Sequence, residues 1–131
     1  MKKLTLIFTL LVSTVMFSSP SYAKWTKVGE GVSGTTYYVD FESMKKNGGY
    51  FTYWVLRNYL KPDKFGMLSG KTYYQGDCKL FKYKSLSGSF HKEPMGGGST
   101  VNYSPKNSNW KHPPSNSVIE EILKSYCSSE V

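Results

Sequence analysis

The chain is poor in the groups that carry out covalent chemistry. Its 131 residues include two cysteines, two histidines and nine acidic side chains, against seventeen lysines and arginines. Two cysteines and two distant histidines, His91 and His112, lack the ligand spacing of a zinc site. A hydrolase needs a nucleophile, a base and a group to orient the base. His91 lies near Glu93 in "SFHKEP" without any supporting pattern, and His112 precedes two prolines. Asp40, Glu42 and Asp77 would meet as an acid pair only through tertiary folding. No metal, cofactor or reaction is expected, and the chain reads as a non-enzyme. Internal repeats and low-complexity tails are also missing. Beyond residue 17 no apolar run is long enough to cross a bilayer, so no transmembrane segment is expected.

The one long apolar run stands at the start. Lys2 and Lys3 precede Leu4 to Phe17, Pro20 ends the run, and Ser21-Tyr22-Ala23 sets small residues where a signal peptidase reads them. The run is short of the roughly 20 residues a membrane span needs. The pattern predicts a signal peptide over residues 1–23, cleaved after Ala23, and one domain over residues 24–131. No cysteine follows the cleavage site, so no lipid anchor is expected. The destination is the periplasm, the cell surface or the medium.

Export bears on the cysteines. In a small secreted domain a pair of them is most simply a disulfide, here Cys78 with Cys127. A ring of that size contributes roughly 4 kcal/mol in the chain-entropy account. Loss of residues 1–23 with their two lysines lowers the net charge from +8 to +6. Aromatic residues make up 16% of the chain, eleven of them tyrosines. Tyrosine suits half-buried strands and binding surfaces alike, so composition does not choose between them.

Strand patterns come first along the chain and a helix comes last. "KWTKVGE" alternates, with Trp25 and Val28 inward. "GTTYYVD" is a second strand, followed by Asp40 as cap of a short turn or loop in "FESMKK". Asn47-Gly48-Gly49 is a turn signal that launches "YFTYWVLRNYL", the strongest strand, broken at Pro62. "SGKTYYQGDCKLFKYKSLSG" is long enough for two strands, or for one kinked near Gly76. "SFHKEP" and "STVNYS" are weaker strands on either side of "MGGG", and "PKNSNWKHPPSN" is loop. Short strands at this spacing argue for an antiparallel meander.

In "SVIEEILKSYC", Ser117 and Glu120 make a capping box. Ile119, Leu123 and Cys127 recur every four residues, flanked by Val118, Ile122 and Tyr126, so Cys127 shares the apolar stripe. The expected fold is α+β: an antiparallel sheet of five to six strands with one C-terminal helix on one face, tied there by the disulfide.

Two patterns resist that scheme. On a regular strand Cys78, Leu80, Lys82 and Lys84 share a face and Phe81 and Tyr83 take the other, which points lysines at the core. Either a bulge near Leu80-Phe81 switches the parity, or the strand outruns the helix; the second is the expectation adopted. In the strongest strand, Tyr50, Trp54 and Leu56 line one face and Phe51, Tyr53 and Val55 the other. One helix covers one face. The second is then exposed, curled into a half-closed barrel, or paired with another copy as a homodimer.

Taken in order, Trp25, "YYVDFESM" at Tyr37–Met44, "YWVLRNY" at Tyr53–Tyr59, "DCKLF" at Asp77–Phe81, "MGGG", Trp110 and the final helix closed by Cys127 resemble the bacterial surface-adhesin protein E family. The likeness runs from about Trp25 to Cys127. It implies a mostly antiparallel sheet with a disulfide-tied C-terminal helix. It also implies a non-enzymatic role, in which some members bind host extracellular-matrix or serum proteins. Some relatives resemble lipoproteins, and this chain departs from them in having no acceptor cysteine after its signal.

The expected function is therefore that of an exported binding protein for host matrix or serum glycoproteins, or other acidic partners. The alternative is a periplasmic envelope or inhibitor protein. The candidate surface is the basic, aromatic run Lys79, Phe81, Lys82, Tyr83 and Lys84, whose cations would steer acidic partners. The plain alternative is that these lysines only solubilise an edge strand. Export argues against nucleic acid as a partner.

Overall fold

The structure, a computed structural model, describes residues 24–106 and 108–129. The expected signal segment, residues 1–23, lies outside them. The chain forms β1 (Thr26–Glu30), β2 (Thr36–Val39), a 3-10 turn (Phe41–Ser43), β3 (Lys45–Asn47), β4 (Tyr50–Asn58), β5 (Ser69–Asp77) and β6 (Lys82–His91). A second 3-10 turn (Pro94–Gly96), β7 (Thr100–Tyr103) and one helix, α1 (Val118–Ser129), complete it. The strands make one antiparallel sheet of seven in the order β1-β2-β4-β5-β6-β7, with β3 beside β4.

The local signals act as the sequence suggests. Asp40 accepts the Glu42 amide and opens the first 3-10 turn, which takes the chain out of β2. The chain then returns as β3, so β2 and β3 lie end to end along one side of β4. The three residues of β3 are exposed, with no apolar alternation to announce them. Gly48 and Gly49 close the β3–β4 hairpin, and Gly48 has a φ of +65° that suits a residue without a Cβ.

The long segment from Ser69 is two strands, as one of the two expectations has it, and Gly76 is a paired residue of β5 rather than a kink. Residues 78–81 form the turn between β5 and β6. Asp77 Oδ1 accepts the amides of Lys79 and Leu80 at 2.9 and 3.2 Å, and Phe81 stands at φ +52°. Cys78 thus sits in a turn rather than on a strand. A left-handed residue resets the direction of the chain. Tyr83 and Phe81 therefore pack on the helix side, while Lys82 and Lys84 pair with Asp77 and Gln75 on the opposite face. This replaces both the bulge near Leu80-Phe81 and the strand that outruns the helix. A register shift does occur, but between Tyr73 and Tyr74, opposite Leu86.

Helix α1 covers the face carrying Val39, Phe51, Tyr53 and Val55, and adds Ile122 and Leu123 to the core. Ser117 Oγ accepts the Glu120 amide at 3.1 Å. Glu120 Oε1 reaches past its expected partner and accepts the Asn116 amide at 3.1 Å. Cys127, on the core stripe, bonds Cys78 with Cα atoms 5.4 Å apart, and so ties α1 to the β5–β6 turn.

A run of stacked aromatic rings passes through the core. Phe51 stacks on Tyr126 at 4.1 Å and on Tyr53 at 5.3 Å, and Tyr53 on Tyr74 at 5.6 Å. The Tyr53 hydroxyl is buried with no hydrogen-bond partner among the described residues. Burial also pushes its pKa upward, with Tyr74 and Tyr83 adding to the shift. An unmet buried hydroxyl costs about 1–3 kcal/mol. Tyr53→Phe should therefore stabilise the fold, by up to about 1 kcal/mol after relaxation. A rise in the urea midpoint checks this, and a lower midpoint would show that the hydroxyl is satisfied.

The sheet does not close into a full barrel, and part of its second face is covered. β1 and β7 stay at the two edges of an open sheet. Leu56, fully buried, lies beneath the second 3-10 turn, where a Cβ on Gly96 would sit 3.7 Å from Leu56 Cδ1. Trp110 stacks on Tyr50 at the other end.

Candidate binding face

Cross-strand register places the side chains of this second face in rows. One row runs Asn47, Tyr50, Asp77, Lys82, and the next Lys45, Thr52, Gln75, Lys84. A third holds Trp54, Tyr73 and Ser87, and a fourth Leu56, Lys71 and Ser89. Strands lie about 4.8 Å apart, so each four-strand row spans roughly 14 Å.

Trp110 reaches this face because Lys111 pairs with Tyr83 in an isolated bridge, with N–H···O distances of 2.8 and 2.9 Å. Its ring lies 5.5 Å from Tyr50, and Lys84 Nζ sits 4.9 Å above it, within range of a cation–π contact. Trp54 and Tyr73 stack at 4.8 Å in the next aromatic row. Trp54, Tyr73, Lys82, Lys84 and Trp110 are all half-buried, and Lys45 and Tyr50 are exposed. Trp110 at one end and the second 3-10 turn at the other leave a strip of sheet between them.

The run that the sequence singles out is divided by the fold. Lys79 is exposed on the β5–β6 turn. Phe81 and Tyr83 pack against the helical core. Lys82 and Lys84 stand on the opposite face, among aromatics brought from β4, β5 and the loop before α1. β6 is also not a simple edge strand, since β7 pairs with its second half and Lys111 bridges its first. The sequence places Trp110 in a loop and among the residues that carry the family resemblance, but not with the candidate surface. An isolated tryptophan in a polar, proline-rich segment was the available signal.

The acids and histidines have structural roles. Asp40 and Asp77 cap turns, and Glu42 pairs with Lys24 at 3.3 Å. Glu93 lies against Gly98. His112 Nδ1 is 3.3 Å from the Phe81 carbonyl oxygen. No group of three or more His, Cys, Asp or Glu side chains that could hold a metal ion occurs among the described residues. No helix among them is long and apolar enough to cross a membrane.

His91 is 3% exposed, with Ser89 Oγ 2.7 Å from Nε2 and Thr100 Oγ1 3.2 Å from Nδ1. Burial holds its pKa below the ordinary imidazole value, and the Lys71 charge adds to the shift. The folded chain therefore refuses a proton that the unfolded chain accepts below about pH 6.5. Stability should fall as pH drops through that point, toward the lower folded-state pKa. A thermal midpoint that declines from pH 7 to pH 5.5 in the parent, and stays flat in His91→Gln, checks this; parallel profiles would refute it.

A family model described as surface-adhesin protein E matches residues 25–128. No curated protein sequence matches the chain. Among solved structures, crystal form II of Haemophilus influenzae protein E is similar, with TM-score 0.60 and 16% identity over 85% of this chain and 92% of that one. A second structure of Haemophilus influenzae protein E gives TM-score 0.59 and 16% identity over 85% and 89%. The protein E of non-typeable Haemophilus influenzae gives 0.56 and 14% over 84% and 79%. At these identities the structural likeness shows the fold.

Proposed function

Since this chain belongs to the surface-adhesin protein E family, we propose that it is an exported, non-enzymatic adhesin that binds host matrix or serum glycoproteins. The observation that carries this reading is the family match across residues 25–128. In this reading residues 1–23 are a cleaved signal peptide and residues 24–131 are the working domain. The contact surface is the second sheet face, with Lys82 and Lys84 among the aromatics and Lys79 at its rim. Phe81 and Tyr83 support it from the core side.

Charge favours a ligand over a second copy on this face. β3 to β6 contain a single carboxylate, Asp77, and its Oδ1 is turned into the β5–β6 turn. An isologous homodimer through the face would set lysines against lysines, and like-charge juxtaposition is costly.

The test uses intact cells of the host. Protease or antibody access to the protein, and reduced adherence to immobilised matrix or serum glycoproteins after its deletion, is the expected result. A protected protein together with unchanged adherence would favour the periplasmic envelope or inhibitor reading instead.

A further inference from the structure

We infer that the strip across β3 to β6, between Trp110 and the second 3-10 turn, is a binding site for a sulfated glycan chain. This rests on the adhesin reading and specifies which part of a host glycoprotein is held.

Three features of the strip point to that chemistry. The first is charge without internal compensation. Lys45, Lys82 and Lys84 share the face, and none of them takes part in the ion pairs seen among the described residues. Lys45 stands on β3 and Lys82 and Lys84 on β6, on either side of β4 and β5, so the charges lie apart across the strip, which suits a chain of repeated anions better than a single small one.

The second feature is flat apolar area. The Trp54–Tyr73 pair and the Tyr50–Trp110 pair stand beside those lysines. A pyranose ring has an apolar face that packs on such a surface, while its sulfate groups project outward to meet ammonium groups. Lys84 over the indole of Trp110 joins the two kinds of group in one place.

The third feature is the backbone. β4 and β5 are interior strands whose main-chain groups are committed to ladders on both sides. An extended peptide gains affinity by adding a strand at a free edge, and the middle of this strip offers none. Recognition here runs through side chains alone. Single-stranded nucleic acid also fits cations and stacking rings, and the test must separate it from a glycan.

The exported protein, purified from its host, is titrated with heparin oligosaccharides, with chemically desulfated heparin, and with single-stranded DNA of similar charge. Expected is binding to the sulfated chain that weakens steeply with salt, at least about tenfold weaker binding to the desulfated chain, and no stronger binding to DNA. Lys82→Glu/Lys84→Glu should abolish binding, and Trp54→Ala should weaken it roughly tenfold. If Trp54→Ala fails to fold, Lys45→Glu, exposed on three-residue β3, serves in its place. Equal binding of the desulfated chain, tighter binding of DNA, or indifference to the lysine reversals would overturn the proposal.

Heparan lyase treatment of the immobilised matrix separates this proposal from its premise. If the protein supports adherence and lyase abolishes it, both stand. If adherence survives lyase, the glycan site fails while the adhesin reading holds. If deleting the protein never changes adherence, the adhesin reading fails, even where the purified protein still takes heparin.

Discussion

Replacing Cys78 and Cys127 together by serine is expected to lower stability by about 4 kcal/mol. The bond closes a ring with a sequence separation of 49, and opening it returns that chain entropy to the unfolded state. Small domains have only about 5–15 kcal/mol in total, so the loss is a large share. It corresponds to a fall in Tm of roughly 15–30 °C. The lever is the location. The bond joins the last turn of α1 to the β5–β6 turn, and α1 supplies the buried Leu123 and Ile122 beneath the sheet. Denaturant titration of the parent and the double variant, both without reductant, measures the difference. Equal midpoints would mean that the helix holds its place by packing alone.

Phe51→Ala should cost about 3–5 kcal/mol, the range for emptying a buried aromatic site. The ring is 1% exposed and lies between Tyr126, Tyr53 and the Gly76 backbone. A Cβ on Gly76 would fall 2.5 Å from two of its ring atoms and 3.1 Å from Leu123 Cδ2. Glycine is therefore required at residue 76 by close approach, with no unusual φ involved. Gly76→Ala alone should cost about 1–3 kcal/mol through overpacking. The two changes should not add. Once the ring is gone the new methyl has room, so Gly76→Ala should cost less in the Phe51→Ala background than in the parent. Additive losses in a double-mutant cycle would show that the clash is relieved elsewhere.

Much of the architecture was legible because its signals are local. Asn47-Gly48-Gly49 fixes a hairpin by what the backbone can do there. Ser117 and the apolar stripe through Ile119, Leu123 and Cys127 define the helix and the side it buries. The cysteine pair follows from export and number. β3 escaped notice because its three exposed residues have no burial pattern to display. The turn at residues 78–81 carries no strong signal in the sequence because Lys, Leu and Phe are poor turn markers. Asp77 supplies the turn by accepting two amides, and Phe81 adopts a left-handed backbone that its residue type does not advertise.

The candidate site was the less legible part for the same reason. The neighbours Phe81, Lys82, Tyr83 and Lys84 look like one patch in a linear reading, yet alternation sends them to opposite faces. The groups that join Lys84 in space are Trp110, twenty-six positions later, and Tyr50, on a strand two places away in the sheet. The order of residues was enough to specify the longer strands, the turn at Asn47-Gly48-Gly49, where the helix starts and that the sulfurs pair, because each of these is set by a few adjacent side chains and their own backbone. Only the folded chain decided which face of β4 the helix would take and which aromatics would stand beside the lysines. Those outcomes depend on strand order, on register and on the handedness of one turn residue, and no short stretch of sequence encodes any of them.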